Sequence, residues 1–270
     1  MKANKVKQKN RLGLVMAAIL ALGALGFGVV VGYEKIKDVY LEQCVVTDMS
    51  AQVMITSGKM VKADVIAENL GLRVGTNLAT VDFAEKRKQL LEKVPNLRAI
   101  SISRRLPDKV IVAAEERIPV ARLGLSRSRK PTGRVVDTEG MVFDWQRGTQ
   151  TLPLVREAQE PGTTKGNRVK GRTLAAIRLI EACREPEFLE IGILEVDVSK
   201  KDFLLATLGN YSKLKILWDE MDEGTPNARA DLIHRLTLLR DTMRTKLAPN
   251  AVIWNATIPN RIFADTQEQI

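Results

Sequence analysis

The sequence predicts an α+β protein: two extracytoplasmic domains carried on a single transmembrane helix. Three observations predict it. A charge-free run from Leu12 to Val31 follows a basic tail. Residues 52–116 read in the order strand, helix, helix, strand, strand, and residues 118–260 hold many short apolar strands interrupted by two amphipathic helices. With 270 residues the chain has room for one large domain or two small ones.

The anchor comes first. Lys2, Lys5, Lys7, Lys9 and Arg11 form a tail, 1–11, that contains no acid. The run after it is about 30 Å long as a helix, which matches a hydrocarbon core. A cleaved signal peptide is the alternative, but Tyr33-Glu34-Lys35-Ile36-Lys37 offers no small-x-small cleavage site and the apolar run is too long. Residues 12–32 are therefore expected to span the membrane. The basic tail stays in the cytoplasm and the bulk of the chain lies outside. Residues 33–47 read as a helical juxtamembrane connector.

The first domain opens with a short strand, Gln52 to Thr56, and a helix from Val61 to Leu70 that stops at Gly71. Gly75-Thr76-Asn77 breaks the chain. Asp82 is placed to cap a second helix, Phe83 to Val94, which Pro95 ends. A hairpin follows: Ile100 and Ile102 alternate with Ala99, Ser101 and Ser103, a break falls at Leu106-Pro107-Asp108, and Val110-Ile111-Val112 is continuously apolar. One three-stranded sheet covered by two helices is the compact solution. Arg104, Arg105, Glu115, Glu116 and Arg117 crowd the hairpin's edges, and Ile118-Pro119-Val120 marks a boundary.

In the second domain Ser126 to Gly133 reads as a basic, solvated loop. A hairpin spans Val135 to Phe143. Leu152 to Val155 is an edge strand at best, because Pro153 gives no donor, and 156–168 is expected to be loop. Gly171 to Arg184 carries an apolar stripe of Leu174, Ile177 and Ile180. Three strands fit 189–218, with turns at Ser199-Lys200-Lys201 and Gly209 to Ser212. A second helix, Ala228 to Leu247, presents Leu232, Leu236, Leu239 and Met243. The last strand is Ala251 to Ile258, and 261–270 is a polar tail. The expected result is an antiparallel, strand-rich domain with two helices.

Chemistry is sparse. Net charge is +10 and pI about 9.7, yet five cations sit in the tail and aromatics are 4%, so there is no stacking platform for nucleic acid. His234 lies mid-helix, Asp197 and Asp202 read as turn residues, and no P-loop, GxSxG or SxxK occurs. Cys44 and Cys183 are too few for a disulfide framework and read as ordinary thiols, with one pairing left open. We therefore expect no catalytic residue, no metal site, no cofactor and no small-molecule substrate. Recognition remains. A terminal strand that finishes at a sheet edge presents unpaired N–H and C=O groups to another chain's strand; the alternative is that it completes the sheet and meets nothing outside.

The segments IAENLGLRVGTNLATVD, KVPNLRAISISRRLPDKVIVAAEERIPVA and GRVVDTEGMVFDWQRGTQTLPLV, taken in this order, resemble the FtsQ family of cell-division proteins (DivIB in Gram-positive bacteria). The specific parts are Gly75 and Asn77 with Val81-Asp82, the set Pro95, Arg105 and Leu106-Pro107, the run Glu116-Arg117-Ile118-Pro119-Val120, and Asp137, Gly140 and Leu152-Pro153. The resemblance implies a POTRA domain (β-α-α-β-β) at 48–117 and a β domain at 118–260, with Arg105, Glu116, Arg117 and Pro119 at their junction. It also implies a single-pass protein of the inner membrane at the division septum, in a complex with the coiled-coil proteins FtsB and FtsL. The partner's segment would pair with the last strand, here Val252, Ile253, Trp254, Asn255, Ala256, Thr257 and Ile258, and the alternate side chains Trp254, Ala256 and Ile258 would supply specificity. Lys200 and Lys201 stand where family members set a basic residue against an acidic partner residue. The rival reading is a POTRA-type periplasmic chaperone or secretion component, which tandem POTRA repeats or a long C-terminal barrel would favour.

Overall fold

In the computed structural model the connector is helical over 30–43 (α1). The structure describes residue 27 and residues 30–105, 107–125, 131–145, 148, 151–157, 164–245 and 250–266. Most of the expected span, 12–32, lies outside the described residues. Among the described residues no helix is long and apolar enough to cross a membrane.

The chain divides into two units. The first takes in residues up to Thr56, Ala63–Arg87 and Ile100–Ala113; the second takes in Ser57–Lys62, Lys88–Ala99 and Ala114–Ile270. The elements up to the hairpin are α2 (Met49–Gln52), β1 (Val53–Thr56), α3 (Ala63–Leu70), α4 (Phe83–Lys93), β2 (Leu97–Arg105) and β3 (Lys109–Glu116), of which α4, β2 and β3 give residues to both units. They reproduce the expected strand-helix-helix-strand-strand order. The sheet runs β1-β3-β2, with β1 parallel to β3 and Val53 opposite Val110. Asp82 caps α4 as expected, its Oδ1 accepting from Ala84 N at 3.0 Å and Glu85 N at 3.1 Å. The one-turn helix α2 was not expected. Asp48 caps it, and the Gln52 side chain turns back to accept from the Thr47 and Asp48 amides.

The second unit holds β4 (Ala121–Leu125), β5 (Pro131–Val136), β6 (Val142–Asp144), β7 (Leu154–Glu157), α5 (Gly171–Ala182), β8 (Ile193–Asp197), β9 (Leu204–Leu208), β10 (Lys213–Ile216), α6 (Pro226–Arg244), β11 (Ile253–Ala256) and β12 (Phe263–Asp265). They form one nine-stranded sheet in the order β12-β11-β10-β9-β8-β7-β4-β5-β6. Ile177, Leu179 and Ile180 of α5 and Leu232, Leu236 and Leu239 of α6 pack with Leu204, Ala206, Leu208, Leu214, Ile216 and Trp254 in the core. Burial alternates along β9 and β10, leaving Leu205, Thr207, Lys213 and Lys215 half-buried.

Four expectations need correction. The sheet is mixed rather than antiparallel: β4–β7, β7–β8 and β10–β11 are parallel pairs. Two of them follow from the helices, since α5 joins β7 to β8 and α6 joins β10 to β11, and a helical crossover between neighbouring strands makes them parallel. The segment after Leu152 is no edge strand. Pro153 sits one residue before β7, so no ladder donor is lost, and its carbonyl accepts from Arg122 N at 2.8 Å. The last three residues of the expected loop, Pro131 to Gly133, become part of β5, which pairs with β4. Lastly, the expected polar tail contains β12, so Val252–Ile258 is neither the last strand nor the edge.

Candidate functional site

Two arrangements gather the residues singled out from the sequence. The first is built on Glu116 and Arg117 at the end of β3. Glu116 is a backbone clasp: its carboxylate accepts from Lys59 N at 3.0 Å, Met60 N at 2.8 Å and Val61 N at 2.7 Å. A Cβ on Gly58 would collide with that carboxylate, so the clasp as built requires glycine there or a shift of the Glu116 side chain.

Arg117 points the other way and is buried, with its side chain 8% exposed. Its Nε donates to the Pro95 carbonyl at 3.1 Å, and its Nη1 donates to Asp137 Oδ2 at 2.5 Å and Glu139 Oε2 at 3.1 Å. Asp137, itself buried, uses its other oxygen to accept from Glu139 N and Met141 N, which closes the β5–β6 turn. Gly140 in that turn has φ +79°, the left-handed region that favours glycine. Around this centre Glu139 also binds Arg98 and Arg168. The hydrogen bond from Arg117 holds the Glu139 carboxyl below its ordinary pKa, against the opposing effect of burial, with Arg98 adding to it. Pro119 is half-buried two residues on. Arg105 is not part of this cluster: it is exposed at the end of β2, in the first unit.

Other motif residues are also clasps. Asn77 Nδ2 donates to the Leu41 carbonyl in the last turn of α1 at 2.9 Å, and Leu78 N and Val46 N tie the same strand-like crossing together. Arg104 stacks over Phe83 at 4.8 Å and donates to the Val81 carbonyl.

The second arrangement is the β11 end of the large sheet. β11 is bracketed, with β10 parallel on one side and β12 antiparallel on the other. Ile253, Trp254 and Ala256 are buried, Val252, Asn255 and Thr257 are half-buried, and Ile258 is exposed. Trp254 and Ala256 therefore belong to the core cluster, whereas the sequence reading set them facing outward from an edge strand. Among the described residues Trp254 Nε1 has no hydrogen-bond partner. Lys200 and Lys201 are exposed in the β8–β9 turn, and Lys201's carbonyl accepts from Trp218 Nε1 at 2.9 Å. Sequence reading missed Arg235. Buried on α6, it bonds Asp231 at 2.6 Å and donates to the Ala256 carbonyl at 2.9 Å, pinning β11 to the helix. Its only signal was a cation one position from the apolar stripe. His234 is exposed and its Nε2 lies 2.8 Å from Asn260 Oδ1 in the turn after β11.

Cys44 and Cys183 are both free and buried. Burial, with the nearby Glu185 charge, pushes the Cys183 thiol up to about 12. Among the described residues no group of three His, Cys, Asp or Glu could hold a metal ion.

Residues 50–117 match the family model of the FtsQ-type POTRA domain. The chain carries an FtsQ-type POTRA domain. The matched residues run from α2 through β3 and end on Arg117, and the match supports the FtsQ/DivIB resemblance. The nine-stranded sheet lies beyond them. No curated protein matches the chain at a significant level.

Proposed function

We propose that the protein is a non-enzymatic, bitopic scaffold of the bacterial divisome, binding FtsB/FtsL-like coiled-coil partners at the β11 end of its large sheet. In this reading 1–11 is a cytoplasmic tail, 12–32 spans the inner membrane, 48–117 is the POTRA domain, and 118–260 with β12 is the β domain in the periplasm at the septum. The FtsQ-type POTRA match, followed in the same chain by a sheet in which β11 lies next to the end and only the short strand β12 covers it, is the observation that carries it. Anchoring confines the protein to the membrane and raises the effective concentration of partners anchored beside it. Main-chain pairing at the sheet end supplies affinity. Lys200 and Lys201, exposed in the adjoining turn, supply attraction for an acidic partner segment.

The test is a pull-down of the FtsB/FtsL-like pair by the full chain. Lys200→Glu with Lys201→Glu is expected to weaken capture while leaving the fold intact, because both side chains are exposed. A proline at Asn255 is a poor probe, since β11 is internal and would lose a ladder. A fluorescent fusion is expected to form a midcell band. Diffuse envelope signal, with unchanged capture by the double lysine variant, would refute the proposal.

A further inference from the structure

β12 is a strand with almost no core of its own. Phe263, Ala264 and Asp265 are all exposed, and only Ile262, just before them, packs against the hydrophobic cluster. Main-chain pairing joins them to β11, Asn255 opposite Phe263, Trp254 opposite Ala264 and Ile253 opposite Asp265. The connecting turn is fastened separately: Asn255 Oδ1 accepts from Thr257 N at 3.0 Å and Thr257 Oγ1 at 2.7 Å, and His234 meets Asn260 at 2.8 Å. β11 is different in kind. Three of its four residues are buried, β10 flanks it, and Arg235 clasps its end. One strand belongs to the domain; the other is laid upon it.

We propose that β11 is a receptor edge for an extended segment of a partner protein, and that β12 is the chain's own exchangeable occupant of that edge. The proposal rests on the partner-binding reading above and adds which segment must leave and what chemistry replaces it. Register across the sheet defines that chemistry. Lys213, Ile253 and Asp265 form one row across β10, β11 and β12, and Lys215, Asn255 and Phe263 form the next row but one. β12 thus sets an acid in the row of one lysine and an aromatic ring in the row of another. Lys213 Nζ donates to Thr207 Oγ1 at 2.7 Å, and Lys215 Nζ lies 5.7 Å from the Phe203 ring centroid. A hollow of about 60 Å³ between Lys200, Phe203, Leu205, Lys213, Lys215 and Ile253 opens beside them. The incoming segment runs antiparallel to β11, with an apolar or aromatic residue in Phe263's place and an acid two positions later. It outcompetes β12 by being longer, because β12 covers only three residues of β11.

The experiment uses the full chain in detergent micelles with the FtsB/FtsL-like pair, and a fluorescent peptide of sequence RIFADT copying residues 261–266. A disulfide between Asn255→Cys and Phe263→Cys locks β12 in place. Opposed antiparallel residues lie about 4.5–5.5 Å apart at Cα, within disulfide reach, and the native cysteines are buried. Locking is expected to weaken partner binding at least about tenfold, with recovery on reduction. A chain ending at Asn260 is expected to bind the partner at least as well as the intact chain, and to bind the peptide at least about tenfold more tightly. Unchanged partner affinity in the oxidised lock overturns the exchange. A folded truncated chain that ignores the peptide overturns the receptor edge; if that chain does not fold, the lock alone decides. If every variant ignores the partner pair while the truncated chain still takes the peptide, the receptor edge stands and the partner-binding reading falls.

Discussion

Removing Arg117 is the most informative single change in the framework. Its guanidinium makes three side-chain hydrogen bonds, to the Pro95 carbonyl, Asp137 and Glu139, at 8% side-chain exposure. Arg117→Ala leaves Asp137, whose side chain is 5% exposed, as a buried carboxylate with no cation against it. Breaking a buried pair from one side costs about 3–5 kcal/mol, whereas an exposed pair costs about 0–1 kcal/mol. Glu139 softens the loss little, because at 32% exposure it keeps Arg98 and Arg168. Against a typical total of about 5–15 kcal/mol, the variant forfeits a large part of the second unit's stability. The corresponding fall in Tm is about 6–20 °C for a unit of this size.

The assay suits the unit. Trp145, Trp218 and Trp254 are the only tryptophans and all lie in the second unit, so tryptophan fluorescence, excited selectively over tyrosine, reports on that unit alone during urea unfolding. Arg117→Ala, Asp137→Ala and the double variant complete a cycle. Coupling is expected, with the double variant costing clearly less than the sum, since deleting both partners removes the uncompensated charge. A loss below about 1 kcal/mol for Arg117→Ala, or strict additivity in the cycle, would show that the pair behaves as a surface pair and refute the reasoning.

Three further outcomes follow from the same structure. Gly58→Ala displaces the Glu116 carboxylate from three backbone amides and is expected to cost about 1–3 kcal/mol; in a Glu116→Ala background the same substitution costs far less, checked by urea unfolding. The folded-state pKa of Glu139 lies below that of an ordinary glutamate, so its contribution is fully present above the ordinary value and is lost as pH falls through the lowered one. Glu139→Gln is therefore expected to flatten the acid limb of a stability–pH profile below pH 4.5. Cys183, buried with its thiol pushed up to about 12, is expected to resist a thiol-reactive disulfide reagent at pH near 8 in the native chain and to react fully in denaturant.

Local structure was legible because periodicity and caps are local. Asp82 before FAEKRKQLLEK, the alternation in AISIS and the stripe Leu232, Leu236, Leu239 each define an element without reference to the rest of the chain. Pairing was less legible. The parallel contacts of β7 with β8 and β10 with β11 depend on where α5 and α6 return the chain, and no residue in the strands records that. β12 escaped notice for a related reason: Phe263-Ala264-Asp265 is too short to show a period and buries no side chain. The β11 segment AVIWNATI is apolar on both parities, so the sequence could not say which face Trp254 takes. In the structure Trp254 and Ala256 are buried, while Asn255 and the neighbouring lysines stay half-buried or exposed.

That shift separates two kinds of residue. Asn77, Asp82, Glu116, Arg117, Asp137 and Gly140, which carry the family resemblance, each satisfy a backbone group, a buried charge or a left-handed turn. Such roles depend on local geometry and leave little freedom of residue type. They identify the framework and say nothing about what it binds. Of the exposed or half-buried side chains at the sheet end, Lys200, Lys213, Lys215 and Phe263 satisfy no backbone group or buried charge among the described residues, whereas Asn255 also closes the turn after β11. A partner can therefore change its segment and this chain can follow at those positions without disturbing the clasps. Substitutions among them are expected to alter partner choice at little cost in stability, whereas substitutions among the clasps unfold the chain before they change what it binds.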